Sequence, residues 1–225
     1  MRLVAADTET TGLHSKDGDR IIEIALVEVS RDPDAPFYHT LIDPVQADGE
    51  RRKVSPEAFG VHGISDAMLV GKPTFAQCLP GIVEFLDGSP LIFHNAAFDM
   101  EFIRDECMEA GFVWEEVPII DTLRLAGEEF PNSRHSLDAL CNRFGIDLSV
   151  RTKHSALVDT QLLAKLYLQW KGQGGFDLTA VKMKKAVVAA EALGALNEIR
   201  VPMPNGMPEK PVSTSWAAHF DGISL

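Results

Sequence analysis

Apolar and polar positions set out three early segments that read as strands: residues 2–6, "RIIEIALVEVS" at 20–30 and "FYHTLIDP" at 37–44. The first is a continuous run that suits a buried strand, and the other two alternate with period two. From 74 to 87 the spacing turns helical, although Pro80 and Gly81 weaken its middle. "PLIFHN" (90–95) predicts a buried strand running straight into a helix over "AAFDMEFIRDECMEAG", with Asn95 as N-cap and Gly111 as stop. "VPIIDT" (117–122) predicts another strand. Helices are expected at 122–130, 136–145 and 155–170, the last with Ser155 as N-cap. Early strands followed by alternating strand and helix predict an α/β fold, a mixed sheet covered by helices.

The pattern changes after Trp170. "KGQGG" (171–175) predicts a flexible joint, 179–199 an alanine-rich helix, and "VPMPNGMPEKPV" (201–212) holds four prolines that oppose regular structure. The expected organisation is one globular domain over 1–170 and a flexible linker and tail over 171–225.

Composition narrows the functional classes. With 225 residues, 45% hydrophobic and 24% charged, the chain can bury a substantial core. Its formal net charge of −12 repels a polyanion at long range, so nucleic-acid binding calls for a local site, a metal ion or a tether, and not a broad basic groove. Cys78, Cys107 and Cys141 lack metal-type spacing and are odd in number, which predicts free, buried thiols in a reducing cytosol. No stretch approaches the roughly 20 apolar residues of a membrane span, so a soluble cytoplasmic protein without membrane contact is expected.

Against this background the acids of "VAADTETTGL" (4–13) stand out, because carboxylates are depleted from strand interiors. Two residues apart on a strand, Asp7 and Glu9 present their side chains to one face. Adjacent like charges drive a pKa upward unless a cation sits between them. The alternative is a solvated strand end. Thr10, Thr11 and Gly12 then form a turn whose backbone can approach a ligand closely. Asp99 falls in the first turn of the helix after "LIFHN", where the dipole favours negative charge. Asp159 falls among Ala156, Leu157, Val158, Leu162 and Leu163. On a continuous helix His154 would point about 140° away from Asp159; on a loop entering a helix that begins at Ser155 it can swing over the same site. Four carboxylates and a histidine suit phosphodiester hydrolysis by two metal ions roughly 4 Å apart, with the histidine accepting a proton from water near neutral pH.

"DTETTGL", "HNAAFD" and "HSALVD" (154–159) resemble, in order and spacing, the three exonuclease motifs of the DEDDh family of 3′→5′ exonucleases. "EAFGVHGI" (57–64), "SLDALC" (136–141) and "RTKHSALVDTQLLAKLYL" (151–168) are similar more narrowly to the family's epsilon branch, the proofreading subunits of bacterial DNA polymerase III. The resemblance covers about residues 3–170. It implies an RNase H-like exonuclease fold with a five-stranded mixed sheet flanked by helices. It implies that Asp7, Glu9 and Asp159 hold two divalent ions, Mg2+ or Mn2+, that Asp99 helps through water, and that His154 is the general base. Asp7, Glu9, Leu13, Glu57, His62 and Asp159 would contact the terminal nucleotide of a DNA 3′ end. Without the resemblance, Glu57 reads as a solvated helix acid, His62 as an exposed loop histidine and Leu13 as core, while Phe98 fits either the substrate side or the core.

In the tail, "QGGFDL" (173–178) places Gln173 ahead of Phe176 and Leu178, as in peptides that bind the bacterial sliding clamp, or else it is a linker running into a helix. Trp216 and Phe220 are four apart and share one face of a helix, which suggests docking on a partner; the resemblance points to the polymerase III alpha subunit, and it adds a small theta-like subunit as a further partner. The leading expectation is a proofreading exonuclease. Its competitors are a DEDDh exoribonuclease or other 3′-end trimming enzyme, and a non-catalytic adaptor between clamp and polymerase.

Overall fold

The computed structural model describes residues 2–46, 49–149, 151 and 153–172. Five strands form one sheet: β1 (Val4–Thr10), β2 (Ile21–Glu28), β3 (Phe37–Leu41), β4 (Leu91–Phe93) and β5 (Ile119–Asp121). Seven α-helices accompany them among the described residues. These are α1 (Pro56–His62), α2 (Asp66–Leu69), α3 (Phe75–Leu86), α4 (Ala96–Glu109), α5 (Thr122–Glu129), α6 (Leu137–Arg143) and α7 (Ala156–Lys171).

The strand order is β3-β2-β1-β4-β5. The β1–β2 and β2–β3 pairs are antiparallel, whereas β1–β4 and β4–β5 are parallel. This is the five-stranded mixed sheet that the sequence pattern predicts. Alternation along β1 sorts its side chains: Val4 and Ala6 join a core with α3 and α4, while Ala5 joins a second core with α6 and α7. The sheet is therefore covered on both faces, and position 7 continues the face that looks towards α7.

Three local expectations need correction. The first strand does not stop at residue 6 but runs on through Asp7 and Glu9 to Thr10, because the ladder with β2 carries it there, pairing Asp7 with Ala25 and Glu9 with Glu23. Asn95 adopts a left-handed backbone (φ 78°) and its side chain caps nothing; Asp121 instead accepts from the Asn95 and Ala96 N–H groups at 3.1 and 3.2 Å. Ser155 does not cap α7 either, since its hydroxyl donates to Glu23 Oε1 at 3.2 Å. Helices α1 and α2 lie between β3 and α3, in a stretch for which the pattern predicts no element.

Helix α3 tolerates Pro80 and Gly81. A capping box between Thr74 and Gln77 starts it, and Phe75, Cys78, Leu79, Ile82, Val83 and Leu86 form one buried face. Gly81 has a packing reason, because a Cβ there would lie 2.9 Å from the Tyr38 ring of β3. Cys78, Cys107 and Cys141 are free and buried, as expected. No described helix is long and apolar enough to cross a membrane. Gln173, Phe176, Leu178, Trp216, Phe220, the 179–199 helix and the rest of 173–225 lie outside the described residues.

Candidate active site

The site forms where β1 outruns β4. Parallel pairing with β4 reaches only Val4 and Ala5, so the following backbone groups of β1 need other partners. Asp99 supplies one: its Oδ1 accepts from the Thr8 N–H at 3.0 Å and the Thr8 hydroxyl at 2.8 Å. Thr8 points to the α4 face while its neighbours Asp7 and Glu9 point to the α7 face. The strand thus ties Asp99 into the same end of the sheet as the other acids.

Asp159 lies in the first turn of α7, which packs across β1 and β2. The helix begins only at Ala156, so His154 is on the entering loop, exposed, with Nδ1 3.1 Å from Asp159 Oδ2. The loop geometry on which His154 depends is therefore realised. Glu9, His154 and Asp159 each offer one ligand atom, and these atoms all lie within 4.8 Å of one another. Asp7 falls outside that tightest group but faces the same acids.

Electrostatics describe a site with too much negative charge for its surroundings. Burial drives the Asp7 carboxyl well above the usual range, and the charges of Asp99, Glu9, Asp159 and Glu23 push it further. Glu9 is pushed up to about 8 by burial and then by Glu23, Asp159 and Asp99, with Arg151 opposing. Asp99 rises to about 7 through burial, against the hydrogen bonds from Thr8. Asp159 differs: burial would raise it, but hydrogen bonds from Arg151 and His154 hold it below its ordinary value. Carboxylates that resist ionisation together are what a hard divalent cation relieves, and the oxygen-rich donor set fits such an ion. Removing the water that solvates charge from this pocket makes the demand stronger.

Two residues that the sequence reading did not single out belong here. Glu23 is buried opposite Glu9 in the β1–β2 ladder and is held by His39 Nε2 at 2.7 Å, the Ser155 hydroxyl, and the Ala156 N–H at 3.1 Å. The signal for it was the one that exposed Asp7: a lone acid inside an apolar strand, between Ile22 and Ile24. Arg151 grips Asp159 with Nε at 2.5 Å and Nη2 at 2.8 Å. Only its place three residues before His154 could have drawn attention to it.

The remaining expectations divide. His62 is not an exposed loop residue but is buried at the end of α1, with Nδ1 accepting from the Ile64 N–H at 3.0 Å and Nε2 facing the Thr10 carbonyl at 3.3 Å. Burial lowers its pKa, and it fastens α1 to the end of β1. Glu57 is exposed on the first turn of α1. Leu13 is 70% exposed in the turn after β1, which rules out a core role. Phe98 packs against the α3–α4 core, 5.1 Å from the Phe102 ring.

The family described as Exonuclease (RNase T) matches residues 4–167. The epsilon subunit of DNA polymerase III from Salmonella typhimurium is 41% identical over 183 residues, covering 76% of this chain and 72% of the relative. The Escherichia coli K12 subunit gives the same figures, 41% over 183 residues with 76% and 72% covered. That of Rickettsia conorii is 37% identical over 204 residues, covering 88% and 85%. Among solved structures, Exonuclease X in complex with 5′ overhanging duplex DNA superimposes with a TM-score of 0.58 at 27% identity, covering 78% of this chain and 94% of that one. The nuclease domain of 3′hExo, a DEDDh family member bound to rAMP, gives a TM-score of 0.65 over 77% of this chain and 92% of its own. At 16% identity that likeness establishes the fold alone.

Proposed function

The chain belongs to the exonuclease (RNase T) family, with epsilon subunits of DNA polymerase III as relatives at 41% identity, and from that premise we propose how its site works. The chain is a nuclease acting on DNA 3′ ends, a proofreading exonuclease of bacterial replication. The observation that supports the site assignment is the meeting of β1, α4 and the α7 loop: Asp7 and Glu9, Asp99, and His154 with Asp159.

Family membership makes the enzyme metal-dependent. We assign Asp7, Glu9 and Asp159 as the residues that would hold two divalent ions, Mg2+ or Mn2+, which would neutralise the carboxylates and supply Lewis-acid stabilisation to phosphodiester hydrolysis. Asp99 adds charge from behind Thr8 and acts through water. His154, on a loop that leaves one ring edge in solvent, accepts the proton of the attacking water. Leu13 projects from the turn after β1 and wedges against the terminal base. Glu57 lies on the exposed side of α1 and contacts the nucleotide. His62, being buried, serves by fastening α1 rather than by reaching out.

The enzyme works with DNA as part of a polymerase III assembly. We assign the alpha subunit to the aromatic pair Trp216 and Phe220, the sliding clamp to Gln173, Phe176 and Leu178, and a theta-like subunit to the catalytic domain, all in the cytoplasm. Residues 1–170 are assigned as the exonuclease domain and 171–225 as its tether. The test is digestion of a 3′-mispaired primer with Mg2+ and then with chelator, using Asp7→Asn as control. Loss of the terminal nucleotide only with metal and wild-type Asp7 is expected; metal-independent trimming overturns the site.

A further inference from the structure

The carboxylate site has little positive charge to offer a substrate. The chain carries a formal net charge of −12, and cations around the site are already committed: Arg151 to Asp159 and Asp138, Arg52 to Asp19, and Lys53 to Asp66. An incoming single strand brings a negative charge with every phosphate and meets a cluster of acids. A free cation at the mouth of the site therefore counts for more here than on a basic surface.

Lys153 is such a cation. It directly precedes His154 on the loop into α7, is exposed, and makes no ion pair among the described residues. Its side chain lies across α1 instead. Nζ stands 5.6 Å from the centre of the Phe59 ring, a cation–π distance, while the apolar stem runs past Gly63. Gly63 makes the room, since a Cβ there would lie 2.7 Å from Nζ and 3.0 Å from Cδ of the lysine. His62, whose pKa burial lowers first of all, also feels the Lys153 charge. The ammonium is thus presented between the loop of His154 and the helix that carries Glu57 and His62.

An ammonium is a compact point charge that suits a phosphate oxygen, and a phosphate contact carries no information about the base. That indifference fits an enzyme that removes whichever nucleotide is mispaired. The Phe59 ring steadies the charge without neutralising it, as a carboxylate would, so less ordering is left to be done when a phosphate arrives. The scissile phosphodiester belongs beside His154 and the acids. Lys153 is one residue away and lies towards α1, which puts the neighbouring phosphate within its reach.

We propose that Lys153 is a substrate-binding residue that takes the phosphodiester next to the scissile one, on its 5′ side, and anchors the strand behind the terminal nucleotide. This rests on the reading of the site as a 3′→5′ exonuclease centre and adds to it a phosphate contact apart from the assigned metal ligands.

The test measures trimming of a single-stranded DNA oligomer by the full chain with Mg2+ over a range of KCl concentrations. Lys153→Met keeps an apolar stem over Phe59 and removes the charge. It should raise KM several-fold while lowering kcat far less, and should reduce the slope of log kcat/KM against log KCl by about 0.7 to 1. Lys153→Arg should restore both. A second substrate carries an uncharged methylphosphonate at the phosphodiester 5′ of the scissile one. On it the wild type should lose about the factor that Lys153→Met loses on the native strand, and Lys153→Met should lose nothing further. Wild-type KM and salt slope in Lys153→Met, equal losses by wild type and variant on the modified strand, or failure of Lys153→Arg to restore binding each overturn the proposal. The two readings separate: no trimming by the wild type with Mg2+ removes the exonuclease reading itself, whereas trimming that ignores the charge at position 153 removes this contact alone.

Discussion

Asp7 and Asp159 are both assigned to metal, yet they stand in opposite electrostatic positions. Asp7 is surrounded by acids that raise its pKa, whereas Asp159 is held ionised by Arg151 and His154. Replacing either with alanine should abolish metal-dependent hydrolysis. The effect on folding should differ, because Asp7→Ala relieves repulsion while Asp159→Ala strips a partner from Arg151. Removing one member of a buried ion pair costs about 3–5 kcal/mol, and less here because Asp138 remains. Thermal melts of the metal-free variants should therefore show Asp7→Ala at or above wild type and Asp159→Ala below it; the reverse order would mean that these surroundings have been misread. For His154, alanine should lower kcat far more than it raises KM and should flatten the acidic limb of the pH–rate profile. An unchanged profile with near-normal turnover would place the base elsewhere.

At the scale of elements, helix α7 is started by a strand. Glu23 of β2 accepts from the Ala156 N–H, one of the donors left open in the first turn of a helix, while Ser155 stands at the N-cap position and makes no capping bond. Glu23→Ala should speed amide exchange at Ala156 roughly tenfold more than Ser155→Ala does, which hydrogen-exchange NMR can read; equal effects would mean that Glu23 does not hold the start of α7. This arrangement also explains what the sequence could and could not reveal. The five strands, the helices after them and Asp7, Glu9 and Asp159 as candidate acids follow from period and from charge in apolar surroundings; for His154 these leave a helical and a loop position open, and the resemblance is what joins it and Asp99 to the other acids. Strand ends do not follow, since β1 is prolonged by pairing with β2 that has no local signature. Caps supplied from distant elements, by Glu23 and Asp121, are likewise invisible to local rules. The burial of His62 depends on α1 folding back onto Thr10, a contact 52 residues away in sequence.

For the whole molecule, the carboxylate cluster links stability to pH. Asp7, Glu9 and Asp99 bind protons more tightly in the fold than in the unfolded chain. Between the ordinary carboxylate range and about 8, where Glu9 titrates, the fold keeps protons that the unfolded chain has released, so stability falls as pH rises. Asp159 has the opposite sign, its contribution being lost only when pH falls through its lowered value. Calorimetric melts without metal should thus drop from weakly acidic to weakly basic pH, and Mg2+ should remove most of that drop. A metal-free melting temperature that climbs over this interval would contradict the cluster's assigned protonation. The tether has its own test. Truncation after Gly172 should leave trimming of a free mispaired primer intact and abolish co-migration with the polymerase, while Gln173→Ala with Phe176→Ala should affect clamp binding alone. Equally tight polymerase binding by the truncated chain would move that docking surface onto the catalytic domain.

Helix α7 is the last described element, and it alone carries both Asp159 in its first turn and, on its leading loop, His154. Asp7 and Glu9 lie on β1 and Asp99 on α4, so the assigned base and the third assigned ligand come from sequence far from the first two. With the assigned residues divided in this way between the first strand and the last described helix, the proposed catalytic set assembles only once α7 has docked across β1 and β2.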